Sequence, residues 1–213
     1  MENEKYSNYP LSISAILGLI EANDIAIPEI QRPFVWRRTQ VRDLIDSLYK
    51  GYPTGYIILW KNPNVKLKDG TISSGKKVLI DGQQRITAMM TAIAGRTVFN
   101  SEYKEDRITI AFNPLAAKSN DPDAEIFAVT TPAIRKSKWW IPDIAELFST
   151  SYSSFKFIPK YCEANPEMEP EELERIISKV KGIANRMIGV IELSENLDID
   201  VVTDIFVEEI KGE

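Results

Sequence analysis

Five consecutive residues, Asp81-Gly82-Gln83-Gln84-Arg85, bring together a carboxylate, two amides, a guanidinium and a residue free to turn sharply. Before them, Val78-Leu79-Ile80 reads as a buried strand. After them, Ile86, Met89, Met90 and Ile93 keep the i, i+3, i+4, i+7 spacing of an amphipathic helix. A polar cluster at a strand-to-helix turn suits an anion, because the first N–H groups of a helix lack intrahelical partners and carry partial positive charge.

A purely structural account explains part of the cluster. Asp81 and Gln84 are spaced as a capping box, and Gly82 permits a tight turn. Gln83 and Arg85 are left unexplained. At 100° per residue they flank the apolar stripe on opposite sides, and side chains that lean toward the helix start let both reach over it. Asp81 is in tension with an anion, since a carboxylate competes for the same positive end. Two resolutions are open: a divalent cation bridges Asp81 and phosphate, or Asp81 orients an attacking water while Arg85 neutralises developing charge.

A second polar motif lies about fifty residues upstream, within Ile27-Pro28-Glu29-Ile30-Gln31-Arg32-Pro33-Phe34-Val35-Trp36. Pro33 biases Arg32 toward an extended backbone, which suits a residue presented to a ligand. The bland alternative is a loop with surface arginines and a Phe34-Trp36 anchor. Gly70 to Lys77 looks at first like a Walker A loop. It fails because Lys77 stands where a magnesium-holding Ser or Thr is needed, and because a strand follows where a helix should.

Together, the two motifs in this order resemble the family called domain of unknown function 262. That family includes the N-terminal half of modification-dependent restriction systems of the GmrSD kind. The resemblance runs from the Leu11 to Ala22 helix through Gly51 to Trp60, Ile126 to Val129 and Trp139-Trp140, and ends near Ile205-Phe206. The asparagine and glycine-rich turn that follow the Ile-Phe pair in the family are missing. On that ground the chain reads as a domain taken from a longer protein.

The resemblance implies an α+β fold with a ParB/sulfiredoxin-like mixed core, and nucleotide phosphates as the anion. It implies an NTP-binding, NTP-hydrolysing regulatory domain of an anti-phage restriction system. Asp81, Gln84 and Arg85 would be its catalytic residues, and Gln31, Arg32, Gly82, Gln83 and Thr87 its nucleotide-binding ones, with a nucleoside triphosphate and Mg2+ as ligands. The partner would be a nuclease domain or subunit with a His-Asn-His site, through which DNA is engaged. The alternative is a non-catalytic module that senses DNA modification or binds proteins for such a nuclease. Lys76, Lys77, Arg135 and Lys138 would then be its DNA contacts, beside Trp139-Trp140 as stacking surfaces. Tryptophans that simply anchor a helical extension are the bland reading of that segment.

Composition narrows the classes. The 213 residues include no histidine, which excludes a His base, a His-metal site or a Ser-His-Asp triad within this chain. The chain is therefore not expected to act as a nuclease by itself. A net charge of −5 argues against a surface devoted to coating nucleic acid. The lone Cys162 makes neither an internal disulfide nor a thiolate cluster. No apolar run reaches membrane-spanning length and Met1-Glu2-Asn3-Glu4 is not a signal sequence, so the expected location is the cytoplasm.

The elements that must position the motifs follow from periodicity. Ser12 or Ser14 caps a helix to Asn23, and Thr39 caps a second with Val41, Leu44, Ile45 and Leu48 on one side. Ile25 to Ile30 is a short extended segment, and Gly55 to Trp60 reads as an interior strand. Arg107 to Phe112 and Ile126 to Thr130 are further strands, with a turn-rich stretch between them. Helices are expected at Pro142 to Phe148 and Glu171 to Met187, a strand at Ile188 to Leu193, and a last helix from Asp198. One structural unit is expected, with a mixed core over 1–130 and a mostly helical extension over 131–213.

Overall fold

The computed structural model describes residues 5–27, 34–61, 76–100, 102–119, 121, 123–195, 197 and 201–202. Along the chain come β1 (Tyr6–Ser12), α1 (Ile13–Glu21), β2 (Ile25–Ala26), α2 (Arg38–Lys50), β3 (Tyr56–Lys61), β4 (Lys77–Asp81) and α3 (Gln83–Ala92). Two short strands follow, β5 (Val98–Phe99) and β6 (Glu105–Asp106). Then come β7 (Ile110–Phe112), α4 (Pro114–Lys118), β8 (Phe127–Val129), α5 (Pro132–Lys136) and α6 (Ala145–Phe148). The chain continues with α7 (Ser154–Ala164), α8 (Pro170–Lys181), a 3-10 turn (Gly182–Asn185) and β9 (Met187–Leu193). The fold is α+β.

The chain divides into two compact, interleaved units. One comprises residues 1–32, 55–83 and 187–213, the other residues 33–54 and 84–186. The first is built on a five-stranded mixed sheet in the order β1-β9-β3-β4-β2. β3, apolar from Ile57 to Trp60, lies at its centre, parallel to β9 and antiparallel to β4. β1 is an edge strand, which is why Pro10 is tolerated in it. Ser12 ends β1 and caps α1, its hydroxyl accepting from Ala15 N–H at 3.2 Å. α1 buries Ile13 and Ile16 and packs on both edge strands, β1 and β2.

In the second unit α2 packs on the β7–β8 hairpin. Tyr49, Phe112 and Phe127 form an aromatic cluster there, with ring centroids 5.2–6.3 Å apart. Leu173, Ile177 and Val180 give α8 a buried stripe, and Lys179 Nζ sits 4.0 Å from the Tyr49 ring centroid. Arg186 closes the end of α2 by donating from Nε to Leu48 O at 3.1 Å.

Several elements depart from the sequence expectation. α2 starts two residues earlier than a Thr39 cap requires, and the Gln40 side chain accepts from Arg37 N–H at 2.8 Å. The turn-rich stretch after Phe112 contains α4, capped by Asn113 with Pro114 at its first position. Thr131-Pro132 starts α5 in the same way. Of the expected last helix, residues 201–202 are helical and those beyond lie outside the described residues.

Candidate functional site

The division between the units falls inside the five-residue motif, between Gln83 and Gln84. On the sheet side, β4 pairs Leu79 with Leu59 and then Asp81 with Ile58, which leaves Ile80 as the extra residue of a bulge. Uninterrupted pairing would have set Asp81 opposite Ile57. The bulge moves it by one position, to the face of the sheet that carries Ile58 and Trp60. Gly82 follows with φ +87°. A Cβ there would lie 2.7 Å from Ile57 Cγ2, so both backbone and packing require glycine. α3 begins at the next residue, the half-buried Gln83.

On the other side of the division, Gln84 and Arg85 are each engaged with backbone. Gln84 Oε1 accepts from Val35 N–H at 3.0 Å. Arg85 Nη1 donates to Thr54 O at 2.6 Å. Val35 directly follows the Gln31-Arg32-Pro33-Phe34 stretch, so Gln84 ties the end of the upstream motif to the first turn of α3. Gln31 and Arg32 themselves lie outside the described residues. Thr87 is only 9% exposed and belongs to the packed set of α3, with Ile86, Ala88 and Met89. Sequence reasoning did not anticipate the hairpin next to Val35. Phe34 N–H donates to Phe99 O at 3.2 Å, and Phe34 bridges Asn100.

The candidate DNA contacts separate into two kinds. Lys77 is committed within the sheet unit, where Nζ lies 2.6 Å from Glu192 Oε2 and 3.1 Å from Tyr9 Oη. Tyr9 also donates to Glu192. Burial alone would raise the Glu192 carboxyl, but the bonds from Lys77 and Tyr9 outweigh it and hold it below the ordinary value. Burial likewise opposes the Lys77 ammonium, yet its bonds to Glu192 and Tyr9 raise it. Burial and the Glu192 bond push the Tyr9 phenol up. Lys76 is half-buried just before β4. In the second unit Arg135 and Lys138 are exposed beside Trp139, which is 51% exposed. Asn165 and Tyr161 hold that segment by donating to Lys138 O and Trp139 O.

Lys77 opens β4, as the objection to a Walker A loop required, while residues 70–75 lie outside the described residues. Among the described residues no three His, Cys, Asp or Glu side chains converge on a common point. Among them, too, no helix is long and apolar enough to cross a membrane.

Residues 13–208 match the family described as GmrSD restriction endonuclease, N-terminal domain. The chain is also similar to an uncharacterised protein of Methanocaldococcus jannaschii, 29% identical over 89 residues. That match covers 33% of this chain and 14% of the archaeal protein, so the chain spans a small part of that relative's length.

Proposed function

This chain belongs to the family of GmrSD restriction endonuclease N-terminal domains, a restriction-system family, and from that premise we propose that it binds and hydrolyses nucleoside triphosphates as a regulatory domain. The observation that carries the reading is the Gln84–Val35 hydrogen bond, which joins the two polar motifs. A bulged strand and a left-handed glycine hold the backbone of Asp81 and Gly82 in the sheet unit. In this reading Arg85 and Arg32 neutralise phosphate charge, and Gln31 and Gln83 donate amide hydrogens. Gly82 brings the backbone close, while Gln84 fixes the neighbouring segment. Asp81 offers one carboxylate, which fits magnesium carried mainly by the phosphates or a positioned water. The burial of Thr87 argues for a packing role. A ParB/sulfiredoxin-like core and a nuclease partner that supplies the absent histidines belong to the same reading.

Titration with each nucleoside triphosphate and magnesium, followed by phosphate release, tests it. Sub-millimolar binding is expected, weakened at least about tenfold by Arg85→Ala through loss of a charge-assisted contact. Asp81→Ala should abolish turnover. Parent-like behaviour of both variants would reject the pocket. The exposed Arg135, Lys138 and Trp139 favour a second reading, a module that senses DNA modification. It predicts DNA binding that falls steeply with salt and has a shallower salt slope in an Arg135→Ala/Lys138→Ala variant.

A further inference from the structure

Beside the segment held by Gln84 the second unit presents large side chains that stay more than half exposed. Phe99 is 58% exposed, Tyr103 75% and Val35 55%. Their backbone is nonetheless well fixed. Phe99 pairs with Glu105 across the β5–β6 hairpin. Asn100 N–H donates to Lys104 O, and Tyr103 N–H donates to Asn100 O at 2.9 Å. The Asn100 side chain accepts from Glu102 N–H at 2.9 Å and Lys104 N–H at 3.1 Å. The Arg38–Asp106 ion pair, at 2.9 Å, ties the hairpin to α2.

Alternation puts Phe99 and Val35 on the same outward side. Val98 is buried and Phe99 exposed, as Phe34 is buried and Val35 exposed, with Phe34 in register with Asn100. Tyr103 has φ +57°, a conformation that opposes any bulky L side chain. Its exposure means that packing does not repay this strain. A strained backbone that presents an exposed ring on a fixed turn is the pattern of a ligand contact.

We infer that Phe99 and Tyr103, extended by Val35, form a stacking shelf for the base of a nucleoside triphosphate whose phosphates lie at Gln84 and Arg85, the residues of the motif that belong to the same unit. This rests on the nucleotide reading above. The chemistry suits a nucleobase: ring faces stack on a heterocycle regardless of its identity. Glu105, opposite Phe99 and exposed, supplies an acceptor for amino or imino hydrogens at the base edge. A carboxylate there would repel phosphate, which orients the base toward the hairpin and the phosphates away from it.

Affinities of the full chain for ATP, GTP, CTP, UTP and inorganic tripolyphosphate, each with magnesium, separate the shelf from the phosphate site. Phe99→Ala and Tyr103→Ala should each weaken nucleotide binding about tenfold, within the range for one base stacked on one ring. Tripolyphosphate binding should stay within about twofold, because it has no base to stack. Phe99→Trp should restore nucleotide affinity. If the parent binds nucleotides and both alanine variants bind them equally well, the shelf is wrong and the phosphate reading stands. If the parent binds neither nucleotides nor tripolyphosphate, both fail.

Discussion

Two of the turns with left-handed backbone, at Gly82 and at Tyr103, resolve it in opposite ways. At the end of β4 the residue is Gly82, with φ +87°, pressed so close to Ile57 that no side chain fits. In the β5–β6 hairpin it is Tyr103, with φ +57° and a ring that is mostly in solvent. At the first turn conformation and packing agree on glycine, the one residue without a steric cost there. At the second a strained aromatic persists where glycine would serve the backbone better. The first turn is fixed by a missing side chain, the second carries a side chain that packing does not use.

The comparison breaks first at Gly82. Gly82→Ala should lower unfolding stability by about 3 kcal/mol, from backbone strain together with the clash on Ile57. Urea unfolding measures this. Ile57→Ala removes the clashing methyl, so the double variant should lose less than the two single losses combined. Full additivity would show that Ile57 does not enforce the glycine.

The opposite end of β4 gives a smaller effect. Lys77→Met should cost about 1–2 kcal/mol near neutral pH, since it strips a part-buried carboxylate of a charge-assisted bond. Glu192 titrates below its ordinary 4.5 in the folded chain, so its contribution is complete above that value and is lost as pH falls through the lower folded one. Lys77 titrates above its ordinary 10.5, so its contribution is complete below that value and is lost as pH rises through the higher folded one. The gap between parent and variant should therefore be widest between the two and close in acid. A gap that stays constant from pH 7 to about 3 would contradict the pairing.

The smallest effect sharpens the contrast. Tyr103→Gly should raise stability by about 0.5 kcal/mol, the relief of left-handed strain less the added chain entropy of glycine. Thermal melting or urea titration reads it, and a loss of stability would mean that the ring packs after all. Paired with weaker nucleotide binding, a gain in stability marks a residue retained for contact and not for folding.

Much of the frame was legible in the sequence where one face of an element is buried. The apolar spacing in α1, α2, α3 and α8 and the runs in β3, β4 and β9 gave their positions closely. β1 was missed because Tyr6 to Ser12 is mostly polar and contains Pro10, and only an edge position makes it a strand. α4 and α5 were missed although Asn113-Pro114 and Thr131-Pro132 carry a cap followed by proline. α7 was missed because Pro159 interrupts a short pattern that begins among serines. At the site, Asp81 and Gln84 read as a local capping pair, whereas Gln84 takes Val35, 49 residues away, as a partner. Phe99 and Tyr103 carried no signal, because sequence pattern separates burial from exposure only in elements long enough to show a period.

The sequence by itself determined the chemical inventory: no histidine, a carboxylate-amide-guanidinium cluster, and a strand, glycine and helix in an order that leaves little choice of local shape. Those features depend on residues a few positions apart. Tertiary structure decided the rest. It set the bulge that moves Asp81 to the other face, the Lys77–Glu192 pair across 115 residues, the Gln84 bond to Val35 and the exposure of the hairpin aromatics. Each depends on which distant segments the folded chain brings together, and local periodicity carries no information about that choice.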